Sequence, residues 1–310
     1  MSQLSILPRA VSTRTVRRWA WATLVANVVI ILTGGLVRLT SSGLGCPTWP
    51  RCTSGSFVPH RELGVHGLIE FGNRLLTYVL IAVVLATVVA VWRWTSSTRP
   101  VRRLAVLIAL GVPFQGVVGG ITVLTRLNPW VVALHLVLSM ALVGLSVLLL
   151  VRVHDEPVTA VAPWVRGAAV GVLALAAVVV YLGTVVTGSG PHAGDANAPR
   201  NGLDPALWSH VHAAVVYALV ALTVVVTWVA RGTSLLRPAA VLLGVELAQG
   251  AVGFAQYFTG LPVPLVALHL VGAAALVASA TWLFLVARPA RVAGSPAARR
   301  AEPAEAPAQR

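Results

Sequence analysis

Charged side chains are scarce in this chain: they make up 10% of its 310 residues, whereas 57% are hydrophobic. This composition, with a mean hydropathy of +0.84, excludes an ordinary soluble globular protein. Acidic side chains are scarcer still, since 9 Asp and Glu accompany 23 Lys and Arg and leave a net charge of +14. The arginines crowd into clusters separated by stretches with few of them, which is a membrane-topology signal and argues against nucleic-acid binding.

Cysteine is nearly absent, and the two that occur, Cys46 and Cys52, share one predicted outer loop. Two thiols supply too few ligands for a zinc site. A disulfide persists on the oxidising side of a membrane. The pair is therefore interpreted either as a staple of its loop or as a redox-active pair that accepts or passes electrons.

Long apolar runs, in contrast, recur along the chain. Each is close to the ~20 residues that a helix needs to cross a ~30 Å hydrocarbon layer, and tryptophans stand at several run ends, as in an interfacial aromatic belt. No small-residue cleavage pattern follows the first run, so it is not expected to be a signal peptide. The eight predicted membrane spans are Trp19–Val37, Leu63–Trp92, Leu104–Leu124, Trp130–Val151, Trp164–Val186, Trp208–Ala230, Ala239–Phe258 and Val263–Ala287.

One sequence pattern occurs twice. Gln115 and Gln249 each precede, at the same spacing, a histidine within a Val-Ala-Leu-His-Leu motif, His135 and His269 respectively. Such repeats define the architecture. Each copy holds an even number of spans, so the copies have the same orientation, related by an axis along the membrane normal. The expected fold is an all-α integral membrane protein with two pseudo-twofold-related four-helix bundles.

The predicted organisation has five parts, and the positive-inside rule places both termini in the cytoplasm. The tail is rich in Ala, Pro and Arg, a composition typical of disorder. The parts are a cytoplasmic basic arm (1–18), a first four-helix bundle (19–151), a cytoplasmic linker (152–163), a second four-helix bundle (164–287) and a disordered cytoplasmic tail (288–310).

The second span is the most polar one. His66, Glu70 and Asn73 are spaced four and three residues apart and therefore share one helix face, with Arg74 beside them. Polar and ionisable groups inside a membrane are unfavourable without a polar partner in the bundle. This stripe predicts a functional site.

Histidines recur on the even-numbered spans, which run from outside to inside. His135, His212 and His269 lie within roughly 6–8 Å of the outer ends of their apolar runs, and His66 lies near the outer start of span two. Two facing imidazoles fit the axial ligation of a haem. A zinc or copper ion would need a third or fourth ligand at each site, and only Glu70 offers one. The remaining interpretation is that the histidines take part in polar packing between helices.

Two other polar residues have weaker interpretations. His210 points about 200° away from His212 on its helix and is the poorer candidate ligand. Glu246 lies one turn before Gln249 and is either structural or part of a proton route.

Four features together resemble the haem A synthase family, and the resemblance covers nearly all eight spans. They are Gly34–Thr40 with the cysteine loop, Glu70–Arg74, Val185–His192 and the paired Ala-Leu-His motifs. The resemblance implies oxidation of a methyl group of haem O to the formyl group of haem A for a terminal oxidase. It also implies a substrate haem in the first bundle and a b-type haem in the second.

Carried over by position, the resemblance makes His212 and His269 the ligands of the b-type haem iron. His135 would face the substrate haem, and Glu70 would be the essential acidic residue beside it. Separately from the resemblance, a buried Glu70 is expected to act as a proton acceptor.

The sequence departs from the family pattern at one point. The usual motif is Glu-x-x-His-Arg, and Asn73 stands at the histidine position. Either His66 supplies the ligand from two turns earlier, or the site is five-coordinate. Cys46 and Cys52 resemble the pair of the family's disulfide-bearing members.

The resemblance implies haem O, a haem O synthase and an electron donor, quinol or other, as partners. A homo-oligomer is left open, and the arginine distribution predicts no nucleic-acid partner. The expected location is the plasma membrane, multi-pass, with the haem sites near the outer face. The main alternative is a di-haem b-type quinol-linked electron-transfer protein, which leaves Glu70 without a role. A transporter with parallel repeats would not need matched histidine pairs.

Overall fold

The computed structural model describes residues 10–289, and α-helices make up most of its regular secondary structure. All eight long helices of this described part are apolar enough, by length and composition, to cross a membrane. The predicted all-α multi-pass architecture is thereby confirmed. The helices are α1 (Thr13–Leu39), α2 (Gly64–Trp92), α3 (Arg99–Leu124), α4 (Pro129–His154), α5 (Pro163–Ser189), α6 (Pro205–Val229), α7 (Leu236–Phe258) and α8 (Val263–Val286).

Most helices extend beyond the apolar runs that predicted them. Helix α1 starts at Thr13, inside the predicted basic arm, because the Ser12 hydroxyl caps it by accepting a hydrogen bond from Thr15 N. Helix α3 starts at Arg99 rather than at Leu104. Hydropathy detects only the part of a helix that lies in hydrocarbon, whereas helical hydrogen bonding continues into the interface, where arginine side chains reach water.

The helices form two groups, which we name the first helix group (α1–α4) and the second helix group (α5–α8). Within each group, consecutive helices pack together and the last helix packs against the first. Between the groups, α4 packs against α5 and α8, and α1 packs against α8. Ile31, Met140, Val143 and Ala274 form the buried apolar cluster at this boundary. A twofold relation between the groups stays a prediction.

The predicted linker contains a short strand. Strand β1 (Thr159–Val161) pairs in parallel with β2 (Ala287–Pro289), directly after α8. The start of the predicted tail is therefore tied to the loop between the groups. The rest of that tail, residues 290–310, and the first nine residues of the predicted arm lie outside the described part of the chain.

Candidate functional site

Four polar side chains, one on each even-numbered helix, face a glycine of the preceding helix. We call Asn73, His135, His212 and His269 the glycine-facing positions. The closeness of each pair is given by the distance from a Cβ built on the glycine to the facing side chain. This distance is 3.9 Å from Gly34 to Asn73 Nδ2, 3.3 Å from Gly119 to His135 Cε1, 3.5 Å from Gly183 to His212 Cε1 and 3.7 Å from Gly253 to His269 Cε1. The glycines thus leave room for the facing ring or amide.

Gln115 holds His135 in the first helix group. Its amide nitrogen donates to the His135 carbonyl (3.1 Å) and to Ser139 Oγ (2.6 Å), and its Oε1 accepts from His135 Nδ1 (3.1 Å). Because Nδ1 donates its proton there, the lone pair of the ring is on Nε2, the arrangement that metal-ligating histidines adopt. The sequence singled out this glutamine but could not give it this role.

Gln249 makes the corresponding backbone bond in the second helix group, where its amide nitrogen donates to the His269 carbonyl at 2.9 Å. The Nδ1 atoms of His212 and His269 are buried and have no hydrogen-bond partner within residues 10–289. Buried polar atoms without partners are rare and unfavourable, so this pair fits a group that meets both rings from outside the polypeptide.

Three other histidines behave differently, since each has a backbone carbonyl as partner. His154 Nδ1 bonds Leu150 O at 3.0 Å, and His210 Nδ1 bonds Ala206 O at 2.7 Å. His192 Nε2 bonds Leu261 O at 2.9 Å. These rings are used as structural hydrogen-bonding groups, in line with the weak interpretation of His210.

Glu70 lies buried on α2, with 5% of its surface exposed. One carboxylate oxygen accepts from Arg74 Nη2 at 2.6 Å, and the other accepts from the backbone N–H of Cys46 at 2.7 Å. Arg74 Nη2 also donates to the carbonyls of Cys46 (3.1 Å) and Thr48 (3.0 Å). The Glu70–Arg74 pair therefore fastens the cysteine loop to α2.

The cysteine loop is closed by a disulfide between Cys46 and Cys52, so the expected pairing is confirmed. Both cysteines are fully buried, and Trp49 between them packs onto Gly120 of α3. The loop thereby covers the start of α2 and the end of α3. This contact requires a glycine at position 120, because a Cβ there would collide with the indole ring.

His66 lies apart from the glycine-facing positions. Its side chain is exposed, and its Nδ1 is hydrogen-bonded to Ser42 Oγ at 2.9 Å. It lies seven residues before Asn73, about 10 Å further towards the start of α2. It shares a helix face with Glu70, as predicted, but at a different depth from Asn73.

Glu246 is a second buried carboxylate, on α7. Its Oε1 accepts from the Thr223 hydroxyl at 2.8 Å, and its Oε2 has no partner within the described residues. At the corresponding place of the repeat, α3 carries the buried apolar residue Val112. Across residues 10–289, no three His, Cys, Asp or Glu side chains converge to hold a bare metal ion.

Arg74→Met is expected to lower the free energy of unfolding by about 3 kcal/mol, because it removes one partner of a buried pair. Thermal unfolding in detergent would measure the loss as a lower Tm. Arg61→Met, at an exposed position in the same region, is the matched control. Equal Tm values for the two variants would contradict a structural role for the Glu70–Arg74 pair.

The fold and the site define a multi-pass membrane protein with two matched glutamine–histidine pairs. In each pair the glutamine bonds the carbonyl of the histidine, whose ring faces a glycine of the preceding helix. The chain belongs to the COX15-CtaA family of cytochrome oxidase assembly proteins, whose sequence profile matches residues 17–281.

Several similar proteins carry the name Heme A synthase. That of Halalkalibacterium halodurans is 28% identical over 179 residues, which cover 56% of this chain and 59% of that protein. That of Lysinibacillus sphaericus is 36% identical over 128 residues, or 41% of each chain. That of Listeria welshimeri is 28% identical over 138 residues, or 44% of this chain and 45% of that one. The chain spans about half the length of these relatives.

Proposed function

We propose that this protein is a haem A synthase, which oxidises a methyl group of haem O to the formyl group of haem A. In this proposal the second helix group holds a resident b-type haem and the first helix group binds haem O as substrate. The observation that carries the proposal is the difference between the groups. The second pairs two histidines at its glycine-facing positions, whereas the first pairs His135 with a helix that carries the buried Glu70.

His212 and His269 are the proposed ligands of the b-type haem iron. Their rings lie against Gly183 and Gly253, and the Nδ1 atom of each is buried without a hydrogen-bond partner among residues 10–289. When bound, such a haem supplies one-electron transfer, and the protein tunes it through the ligands and the surrounding polarity.

In the first helix group, His135 Nε2 is the proposed contact to the iron of haem O, since Gln115 occupies Nδ1. Glu70 is the proposed proton acceptor, because each C–H bond oxidised on the way from a methyl to a formyl group gives up a proton together with electrons, which an external oxidant would accept. Arg74 and the Cys46 N–H hold the two oxygens of that carboxylate. The disulfide loop above them would restrict access of water from the outer side.

The proposed location is the plasma membrane, with both termini cytoplasmic and the haem sites towards the outer face. The arginine clusters at the α2–α3, α4–α5 and α6–α7 connections support this orientation through the positive-inside rule. A haem O synthase is the proposed source of substrate. The oxidation requires an oxidant of the dioxygen class, and a quinol or another donor is the proposed source of the further electrons that reduce it. The alternative of a quinol-linked di-haem carrier gives Glu70 no role.

Expression in bacterial cells that make haem O but no haem A tests the proposal. We expect haem A to appear in the extracted cellular haems, identified by absorption spectrum and mass, only when this chain is expressed. The control is the same cells carrying a His135→Ala, His269→Ala double variant. Accumulation of unchanged haem O beside folded, membrane-inserted wild-type protein would contradict the proposal.

A further inference from the structure

The packing of the glycine-facing positions identifies the residue of α2 that corresponds to His212 of α6. His212 faces Gly183, near the end of α5, and Asn73 faces Gly34, near the end of α1. His135 and His269 face Gly119 and Gly253 in the same manner. The counterpart of His212 in the first helix group is therefore Asn73.

His66 is excluded from this position by its place on α2. With Asn73 matched to His212, His66 falls level with Pro205, the first residue of α6. Its ring is exposed and bound to Ser42 Oγ. Its backbone packs against Gly45 of the cysteine loop, where a Cβ would collide with it. The segment around His66 is thus fixed to the outer loop, away from the glycine-facing positions.

Asn73 is a poor substitute for an imidazole ligand. Its Oδ1 accepts a hydrogen bond from the Thr33 hydroxyl at 2.8 Å, which leaves the amide nitrogen facing Gly34. An amide NH₂ group is a donor and has no lone pair to offer to a metal. The side chain can hydrogen-bond a small molecule at this place, but it cannot replace a histidine as a ligand.

We infer that the first helix group provides a single imidazole, His135, to the iron of its haem, and that the face beside Asn73 is open to an exchangeable small ligand. This inference rests on the proposed function and assigns a substrate site with one fixed protein ligand and one replaceable position. The second helix group, with His212 and His269, has both positions filled by protein. The two sites would thus divide the tasks of substrate handling and electron transfer between them.

Carbon monoxide binding tests this inference, because it requires an open position on reduced haem iron. The holoprotein would be purified anaerobically from haem O-producing cells, reduced and titrated with carbon monoxide, with the ferric spin state recorded by electron paramagnetic resonance. We expect the haem of the first helix group to be high-spin and to bind carbon monoxide. The b-type haem should be low-spin and should not bind carbon monoxide. His66→Ala should leave both signals unchanged.

Asn73→His is the matched gain-of-ligand variant. It should convert the high-spin signal to a low-spin one and abolish carbon monoxide binding, whereas Asn73→Gln should preserve both. The inference is overturned if the wild-type protein holds two low-spin haems and only His66→Ala creates a high-spin, carbon monoxide-binding haem. Haem in the second helix group alone, in every variant, would overturn both this inference and the proposed function.

Discussion

Glu70→Gln is expected to lower haem A formation by about 100-fold or more, the usual contribution of a positioned general base. The glutamine keeps the size of the side chain and still offers an oxygen to the Cys46 N–H, but it cannot take up a proton. The b-type haem should remain bound, because Glu70 lies in the other helix group. Extraction of total haem and identification by mass measures both quantities in one sample.

Glu246→Gln is the matched control for that variant. It changes a second buried glutamate, which bonds Thr223 on α6 and lies outside the first helix group. We expect it to retain haem A formation. Normal product from Glu70→Gln would remove Glu70 from the proposed chemistry, and equal losses in both variants would point to a general effect of altering buried carboxylates.

His269→Ala is expected to release the b-type haem from the purified protein. The substitution removes one of the two proposed imidazole ligands, and no other histidine of the described chain faces Gly253. The loss should appear as the disappearance of the low-spin b-type spectrum, measured against protein concentration. Haem O bound at His135 should remain, because Gln115 holds that ring independently.

His210→Ala serves as the control for His269→Ala. His210 is a neighbour of His212 in the chain, but its ring bonds the Ala206 carbonyl and stacks edge-on against Tyr257. Its loss should leave the b-type spectrum intact. A full b-type spectrum in His269→Ala would show that the glycine-facing histidines of the second helix group are not the ligands.

The helices and the correspondence of His135 with His269 could be predicted from the sequence because both depend on local patterns. A run of about 20 apolar residues in a chain with so few charges is stable in lipid as a helix, because a helix satisfies all of its backbone hydrogen bonds internally. His135 and His269 could be matched because Gln115 and Gln249 precede them at the same spacing. The extra turns at the helix ends could not be predicted in this way, since they lie beyond the apolar runs.

The roles of His66 and Asn73 could not be separated in this way. Seven residues make nearly two helical turns, so both lie on one face, and the sequence pattern does not show which of the two levels on α2 matches that of His135. The distinction comes from tertiary packing, in which Gly34 contacts Asn73 while the cysteine loop takes up the segment around His66. Arg74 holds that loop by donating to the carbonyls of Cys46 and Thr48. This contact could not be predicted either, because the positions of the carbonyls depend on how the loop folds.

The most direct test of the account is the haem content of the purified protein, expressed with and without a haem O-producing partner enzyme. We predict a resident b-type haem in both preparations, joined by haem A or a hydroxylated form of haem O only when haem O is supplied. Haem B alone in both preparations would contradict the account and favour an electron-transfer protein.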